Sequence, residues 1–224
     1  MLHNRPVSRG LFITFEGSEG CGKSTQVQRL AARLDREQIS FLLTREPGGT
    51  AIGEKIRDLL QFAPEGAGMF PETEVMLFAA SRSQLVREVI EPALERGSIV
   101  ISDRFLDSTA VYQGAARRLD STAVARLNAF AVGACMPDVT FVLDVDVATA
   151  RARMLRRVRP LNTPDRMEQE PVEFYERVCA AYRELAARET QRVTLIDASG
   201  PVDKVETTIW QVLASRLRGA KSAT

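Results

Sequence analysis

The sequence predicts an α/β protein built on a five-stranded parallel sheet with helices on both faces. Short apolar runs alternate along the chain with longer amphipathic ones, and this alternation is typical of βαβ units. The predicted strands are apolar on both faces, which suits a buried parallel sheet. A loop with three glycines and one lysine, "GSEGCGKS", follows the first strand directly and precedes the first helix. These observations place the chain in the open α/β class.

The predicted strands are short, and three of the five contain several β-branched residues. They lie at residues 11–16, 41–45, 98–102, 139–145 and 193–197. Helical patterns occur between them at residues 23–37, 51–61, 72–96, 108–117, 121–133, 147–157, 172–189 and 201–218. The stretch "RPLNTPDRMEQEP" carries three prolines and many charges, so we expect an exposed loop there.

The bulk properties limit the classes of protein to consider. With 224 residues, of which 45% are hydrophobic and 26% charged, the chain resembles a globular protein with one core. We expect a single domain over residues 1–224, with flexible ends at 1–10 and 219–224 and a lid at about 153–170. A net charge of +1 argues against a general nucleic-acid binder. The sequence lacks a long apolar run and a signal peptide, and its three cysteines are scattered, so we expect a cytoplasmic protein without membrane partners.

The glycine loop fits the pattern G-x-x-x-x-G-K-S and predicts a phosphate-binding loop. Its glycines allow several backbone N–H groups to converge on one phosphate, next to the positive end of the following helix. Lys23 would reach the outer phosphates of a nucleoside triphosphate, and the Ser24 hydroxyl would join a Mg²⁺ shell. The alternatives are a chance glycine turn and, for Cys21, a reactive thiol rather than a small packing residue. The predicted ATP-binding residues are Gly17, Ser18, Glu19, Gly20, Cys21, Gly22, Lys23, Ser24 and Thr25.

The loop does not identify the group that receives the phosphate, because switches, motors and kinases share it. The sequence contains no "NKxD"-like guanine signature and no long second domain. A chain this small with five strands is more typical of a kinase that acts on a small metabolite.

Charged residues end two of the predicted strands. Asp103 and Arg104 follow "IVIS", and Arg45 ends "FLLT". Ligands of open α/β sheets bind at the carboxyl ends of the strands, so Asp103 is expected to hold Mg²⁺ through water, and the two arginines to clamp the acceptor's phosphate. A surface ion pair at Asp103 and a solvated arginine at Arg45 are the alternatives.

Two further pairs of residues are candidates for contacts with a nucleobase. Phe78 and Arg82 lie four residues apart on one face of a predicted helix, where Phe78 could stack on a base and Arg82 could bond its edge. The pattern alone favours a core position for Phe78. Tyr112 and Gln113 give a similar but weaker signal.

A third group of basic residues ends the helix predicted at 147–157. Arg153, Arg156, Arg157 and Arg159 form either a solvated basic helix end, which suits the helix dipole, or a lid that neutralises charge over the donor phosphates.

Taken together, these motifs resemble those of the thymidylate kinase family over residues 11 to 210. The resemblance rests on "FEGSEGCGKST", "TREPGGT", "LFAASRSQLV", "SDRFLDSTAVYQG", "PDVTFVLDV" and "DRMEQEPVEFYERVCAAYRELA". It implies a three-layer P-loop kinase fold with a mobile lid, and phosphoryl transfer from ATP to dTMP with Mg²⁺. It also implies a homodimer, for which the helix at 72–96 could supply the interface.

The resemblance also implies residue roles. Glu19 would bind the 3′-hydroxyl of dTMP, and Arg45 and Arg104 its phosphate. The base and sugar would be bound by stacking on Phe78, by Arg82 at the O4 edge, by Tyr112 crowding the 2′ position, and by Gln113 close to the base.

For the lid, family members without a basic residue inside the phosphate loop supply arginines from the lid instead. This loop has none before Lys23, so Arg157 is the first choice for the catalytic arginine, with Arg153 and Arg159 next. Two rival functions remain at this point: another nucleoside monophosphate kinase, and a nucleotide-dependent switch that has no acceptor substrate.

Overall fold

The structure is a computed structural model that describes residues 9–156 and 166–222, with side chains described as far as residue 217. Its centre is one sheet of five parallel strands in the order β2-β3-β1-β4-β5. The strands are β1 (Phe12–Glu16), β2 (Phe41–Arg45), β3 (Ile99–Asp103), β4 (Val139–Asp144) and β5 (Val193–Asp197). The predicted α/β fold class with a five-stranded parallel sheet is therefore confirmed.

The helices occupy the predicted intervals, with a more complex internal structure. They are α1 (Lys23–Arg36), α2 (Ala51–Gln61), α3 (Pro71–Leu85), α4 (Glu91–Glu95), α5 (Leu106–Thr109), α6 (Ser121–Val132), α7 (Val147–Leu155), α8 (Val172–Arg188) and α9 (Val202–Ser222). Two short 3₁₀ helices lie at Pro64–Gly68 and Arg166–Gln169. The helices predicted at 72–96 and 108–117 are each interrupted by a π-helical segment, Val86–Ile90 and Ala110–Ala116. Such segments occur frequently at functional sites.

Strand register brings the carboxyl ends of three strands to one edge of the sheet. Phe15 of β1 and Arg45 of β2 both pair with Asp103 of β3. The loop that follows β1 is therefore next to the residues that end β2 and β3. This is the arrangement that the sequence predicted from the parallel topology.

Apolar side chains pack on both faces of the sheet. Ile13 and Phe15 of β1 belong to a buried cluster with residues of α1 and α9. Phe12, which points to the opposite face, belongs to a second cluster that includes Leu85 of α3 and Val132 of α6. The sheet is thus the middle of three layers, and burial on both faces explains why its strands are apolar throughout.

Residues near both ends of the described chain take part in the fold. Gly10 is buried, and its backbone N–H donates to the carbonyl of Leu94 at 2.8 Å. Helix α9 continues to Ser222 rather than ending at Arg218. Within the part of the chain that the structure describes, no helix combines the length and the apolar character that crossing a membrane requires.

Candidate active site

The phosphate loop joins the end of β1 to the start of α1. Gly17, Gly20 and Gly22 have φ values of +131°, +76° and +102°, a region that residues with side chains rarely adopt. A Cβ on Gly20 would lie 2.3 Å from the carbonyl oxygen of Ala150 in α7, whereas a Cβ on Gly22 would meet no atom within 4 Å. Gly20 therefore allows close packing against α7, and Gly22 gives the left-handed turn before α1.

Lys23 closes over the loop from which it emerges. Its Nζ donates to the carbonyl oxygens of Gly17 at 3.0 Å and Ser18 at 2.9 Å, and the residue is only 8% exposed. Cys21 is buried in the cluster below the loop, which favours its interpretation as a packing residue. The ammonium group is thus held at the loop by two neutral carbonyl oxygens. An anion, which is a stronger acceptor, can replace them.

Ser24 and Asp103 meet at the carboxyl edge of the sheet. The Ser24 hydroxyl donates to Oδ2 of Asp103 at 2.9 Å. Both residues line a cavity of about 450 Å³. Two neighbouring oxygen ligands on one cavity wall are the donors that Mg²⁺ prefers, so the predicted metal-binding residues fit that ion.

The same cavity is lined by an excess of cationic side chains, which suits a polyanion. Its carboxylates are Glu19, Glu46, Asp103 and Glu168. Its cations come from the phosphate loop, two strand ends, α2 and the end of α7: Lys23, Arg45, Arg57, Arg104, Arg153 and Arg156.

Arg104 lies at the centre of the site in a strained backbone conformation, with φ +73°. Its Nη2 donates to Oε1 of Glu19 at 2.6 Å and to the Tyr112 hydroxyl at 3.2 Å. Its Nη1 donates to the Gly17 carbonyl at 3.1 Å and to the Ser108 hydroxyl at 3.0 Å. Both terminal nitrogens of the guanidinium are therefore bonded to protein groups in this conformation.

Glu19 is an anion in this arrangement. Burial acts to raise its pKa, but the Arg104 and Lys23 cations and the Tyr112 hydroxyl outweigh burial and hold the pKa below its ordinary value. The Tyr112 hydroxyl donates to Oε2 of Glu19 at 2.6 Å. Glu19 therefore links the phosphate loop to the π-helical segment that carries Tyr112.

Arg45, the other predicted phosphate ligand, is exposed at the end of β2. Its Nη2 donates to both carboxylate oxygens of Glu54 at 2.9 Å. Arg45 ends β2, and Arg104 directly follows the neighbouring strand β3. Both line the same cavity, so the structure brings the two predicted arginines to one site.

A second, smaller cavity of about 40 Å³ adjoins the first, and Glu19, Glu46, Gln61 and Arg104 line both. The residues predicted to contact the base and sugar all line it: Phe78, Arg82, Tyr112 and Gln113. Phe78 is only partly buried, so the core position that its helical spacing favoured is wrong, and its ring forms a pocket wall.

Arg82 is completely buried behind this second cavity. It donates from Nε to Glu46 at 2.9 Å and from Nη1 to Asn128 at 2.5 Å. Its Nη2 donates to Thr109 at 2.6 Å and to the second oxygen of Glu46. Of its five N–H groups, one on Nη1 has no hydrogen-bond partner among the described residues.

Two buried carboxylates near the site have no counterpart in the sequence predictions. Glu16, at the end of β1, accepts hydrogen bonds from the backbone N–H groups of Phe105 and Ser108 and from the hydroxyls of Ser108 and Tyr182. Burial, reinforced by the nearby Asp107 carboxylate, raises the pKa of Glu16 from 4.5 to about 7. The sequence offered one signal for Glu16: it is a charged residue at the end of a largely apolar strand. Glu74, in α3, is the other such residue.

Of the predicted lid arginines, Arg153 and Arg156 lie within the described residues, and Arg153 is the one of the two that was a choice for the catalytic arginine. Its Nη2 donates to the carbonyl oxygens of Ala198 at 3.0 Å and Ser199 at 3.4 Å, and it lines the larger cavity together with Arg156. The predicted catalytic residues Arg157 and Arg159 lie outside the residues that the structure describes.

Comparison with known proteins identifies the family. The family model described as thymidylate kinase matches residues 15–209. The chain belongs to the thymidylate kinase family. The resemblance predicted from the sequence motifs is thereby confirmed, and the family includes proteins similar to this chain over nearly its whole length.

Relatives in three bacteria illustrate the similarity. The thymidylate kinase of Geobacter sulfurreducens is 46% identical over 93% of this chain and 98% of that protein. The thymidylate kinase of Deinococcus radiodurans is 42% identical over 94% of this chain and 99% of that protein. The crystal structure of thymidylate kinase from Ehrlichia chaffeensis superposes with a TM-score of 0.74 at 32% identity, covering 92% of this chain and 99% of the other.

Proposed function

We propose that this chain transfers the γ-phosphate of ATP to dTMP and releases ADP and dTDP. The observation that carries the proposal is the meeting of two cavities at Glu19 and Arg104. One is lined by the phosphate loop and its cations, and the other by aromatic and amide side chains. Relatives that are 42% to 46% identical are named thymidylate kinase, which supports the same assignment.

The donor triphosphate is proposed to bind in the larger cavity. Its phosphates would accept from the backbone N–H groups at the start of α1, which carry the positive end of the helix dipole. Lys23 would exchange the carbonyl oxygens of Gly17 and Ser18 for phosphate oxygens. This exchange is favourable because a charged acceptor binds an ammonium more strongly than a neutral carbonyl does.

Ser24 and Asp103 are proposed to hold Mg²⁺, Asp103 through water. Their oxygens face the same cavity as Lys23. When bound, Mg²⁺ neutralises charge on the phosphate oxygens of the donor nucleotide.

The acceptor phosphate is proposed to bind Arg104 and Arg45. An oxygen of dTMP is already ionised at neutral pH, so the attack on the γ-phosphorus needs no general base, and the protein acts by positioning and by neutralising charge. The phosphate would compete with Glu19 for the Arg104 fork, which releases Glu19 to accept from the 3′-hydroxyl. Arg45 would turn from Glu54 toward the same phosphate.

The base and sugar of dTMP are proposed to occupy the smaller cavity. Phe78 offers a ring face for stacking, and the remaining N–H of Arg82 can donate to O4 of thymine. The Tyr112 ring, held against Phe174 and Tyr182, would crowd a 2′-hydroxyl. These assignments keep the roles that the family resemblance implied.

A lid arginine is proposed to neutralise charge in the transition state, with Arg157 as the first choice and Arg153 and Arg159 as the next. Removing an arginine in this role lowers the rate by about a thousandfold or more. Arg153 and Arg156 line the donor cavity, which supports a basic wall on that side.

We also propose that the protein is a homodimer. Two exposed apolar side chains support this proposal: Met76 of α3 is 54% exposed and Phe130 of α6 is 81% exposed, and these two helices pack against each other. Light scattering coupled to size-exclusion chromatography tests this directly. The cytoplasmic location and the absence of nucleic-acid partners stay predictions from the sequence.

The decisive experiment is a phosphoryl-transfer assay with ATP and a panel of acceptors: dTMP, dUMP, dCMP, AMP and GMP. We expect dTDP to form fastest, as followed by ³¹P NMR. A preference for another monophosphate would favour a different nucleoside monophosphate kinase. Slow ATP hydrolysis that dTMP does not redirect would favour a switch, and the proposal would then be abandoned.

A further inference from the structure

Glu74 is a buried carboxylate behind the base pocket, and none of the predictions above gives it a role. It lies in the first turn of α3 and is 1% exposed. Oε1 of Glu74 accepts from Nε2 of Gln113 at 2.7 Å and from Nε of Arg117 at 3.1 Å. Oε2 accepts from Nη2 of Arg117 at 3.1 Å and also from Arg166.

The charge state of Glu74 fixes the orientation of the Gln113 amide. Burial acts to raise the pKa of Glu74, but hydrogen bonds from Arg117, Gln113 and Arg166 outweigh it and lower the pKa below its ordinary value. An ionised carboxylate can only accept hydrogen bonds. The end of the Gln113 amide that faces Glu74 is therefore the NH₂ group, a choice that the chemistry makes independently of the atom assignment.

The carbonyl end of Gln113 is consequently the end left for a ligand. Gln113 lines the smaller cavity with Phe78 and Arg82. Among the described residues, no donor is hydrogen-bonded to Oε1 of Gln113, whereas the NH₂ group is bonded to Glu74. An amide held in this way is a fixed acceptor rather than a group that turns to suit either kind of base edge.

We propose that Glu74 is a positioning residue that selects the base of the acceptor nucleotide through Gln113; this inference rests on the function proposed above. Thymine and uracil carry a hydrogen at N3, which a fixed carbonyl oxygen can accept. Cytosine carries a lone pair at N3, which would face that oxygen without a proton between them. A buried polar group without a partner is costly, so a site built for a donor discriminates strongly against a base that lacks it.

Two arginines, Arg117 and Arg166, hold Glu74 in place. Arg117 also pairs with Glu170 at 2.6 Å, and its guanidinium lies 5.1 Å from the centre of the Phe174 ring. Arg166 also donates from Nε to the carbonyl of Leu60 at 3.0 Å. These contacts fix the carboxylate against rotation, and so the acceptor it orients stays in one position.

The test compares the ratio of kcat/KM for dTMP to that for dCMP, with ATP as donor. Glu74→Leu removes the carboxylate that accepts a hydrogen bond from the Gln113 NH₂ group. The Gln113 amide can then rotate by 180° and present its NH₂ group to the base. We expect the ratio to fall about tenfold or more, mainly through a higher KM for dTMP. In the matched control Glu72→Leu, which removes an exposed carboxylate from the same first turn of α3, we expect the ratio to stay within about threefold of the parent value.

The Glu74→Leu substitution in a Gln113→Met variant distinguishes a positioning role of Glu74 from general structural damage. Gln113→Met removes the amide, so adding Glu74→Leu to it should leave the ratio unchanged if Glu74 acts through Gln113. Glu74→Asp keeps the charge that Arg117 and Arg166 need and shortens the side chain by one methylene. It should therefore fold even if Glu74→Leu does not, and it should lower the ratio as well.

Three outcomes would overturn the inference: an unchanged ratio in folded Glu74→Leu, an unchanged ratio in Glu74→Asp, or an equal loss with and without Gln113. Failure of the proposed function is distinguishable, because the unmodified protein would then fail to phosphorylate dTMP. If the unmodified protein phosphorylates dTMP and the ratio does not respond to Glu74, only the positioning role is lost.

Discussion

Arg104 and Glu19 form an ion pair of 2.6 Å at the junction of the two cavities. In the proposed complex each of them binds a different part of the same nucleotide, Arg104 its phosphate and Glu19 its 3′-hydroxyl. Without a ligand they neutralise each other, which avoids an isolated buried charge. The acceptor must therefore replace this ion pair, and the residues around it are the first targets for substitution.

Replacing Lys23 with alanine should abolish turnover without unfolding the protein. We expect kcat to fall about a thousandfold, because a preorganised cation at developing phosphate charge contributes on this scale. Steady-state kinetics with ATP and dTMP, together with circular dichroism, provide the measurement. Lys55→Ala, an exposed lysine in α2, is the matched control, and near-normal turnover in Lys23→Ala would remove Lys23 from the mechanism.

Replacing Arg45 with alanine should raise the KM for dTMP about tenfold to a hundredfold, since it removes one charged hydrogen-bond donor to the phosphate. The pair with Glu54 is largely exposed, and such pairs contribute little to stability, so the free energy of unfolding should change by less than about 1 kcal/mol. Arg36→Ala, an exposed arginine at the end of α1, should change neither quantity. An unaltered KM for dTMP in Arg45→Ala would argue against the phosphate clamp.

Replacing Tyr112 with alanine should narrow the preference for dTMP over its ribose counterpart, because the ring that crowds the 2′ position is lost. Tyr112→Phe keeps the ring and loses only the hydroxyl that donates to Glu19, so it should keep the preference and raise the KM for both substrates. The measurement is the ratio of kcat/KM for the two nucleotides. Equal ratios in the alanine and phenylalanine variants would place Tyr112 outside the sugar pocket.

Glu16 should make the stability of the protein depend on pH. Its pKa is raised from 4.5 to about 7 on folding, so the folded state holds a proton that the unfolded state releases between these values. Stability therefore falls as pH rises from about 4.5 to 7, by up to about 3 kcal/mol from this group. Below pH 4.5 the carboxyl is protonated in both states, and above pH 7 the loss is complete.

Urea unfolding of Glu16→Gln at pH 5 and pH 8 measures this contribution. The amide cannot ionise, so the variant should gain stability relative to the parent protein as pH rises across this interval. Glu176→Gln, at an exposed position of α8, should follow the parent at both values. A constant difference between Glu16→Gln and the parent would mean that Glu16 does not change its protonation on folding.

The sequence was sufficient to predict the sheet, the phosphate loop and the strand-end residues Asp103 and Arg104. Each of these depends on a local pattern or on a general rule of parallel topology, so a short stretch of chain determines it. Arg45 and Tyr112 were likewise brought to the cavities where they were predicted.

The rest depends on contacts between distant parts of the chain. Glu16 and Tyr182 are hydrogen-bonded across 166 positions of sequence, and Glu74 contacts Arg166 across 92. No local pattern encodes such pairs. Helical spacing alone favoured a core position for Phe78 and was misleading for a related reason: spacing shows that residues share a face, but not whether that face meets the core or a cavity.

The π-helical segment Ala110–Ala116 allows two adjacent residues to line the same cavity. In an α-helix, adjacent residues point in different directions, yet Tyr112 and Gln113 both line the smaller cavity. The wider turn, which closes with the N–H of Arg117 bonded to the carbonyl of Tyr112 at 2.9 Å, accommodates one residue more than a regular turn would. Removing a single residue here would give a more regular helix and would separate two neighbouring side chains that now serve one ligand.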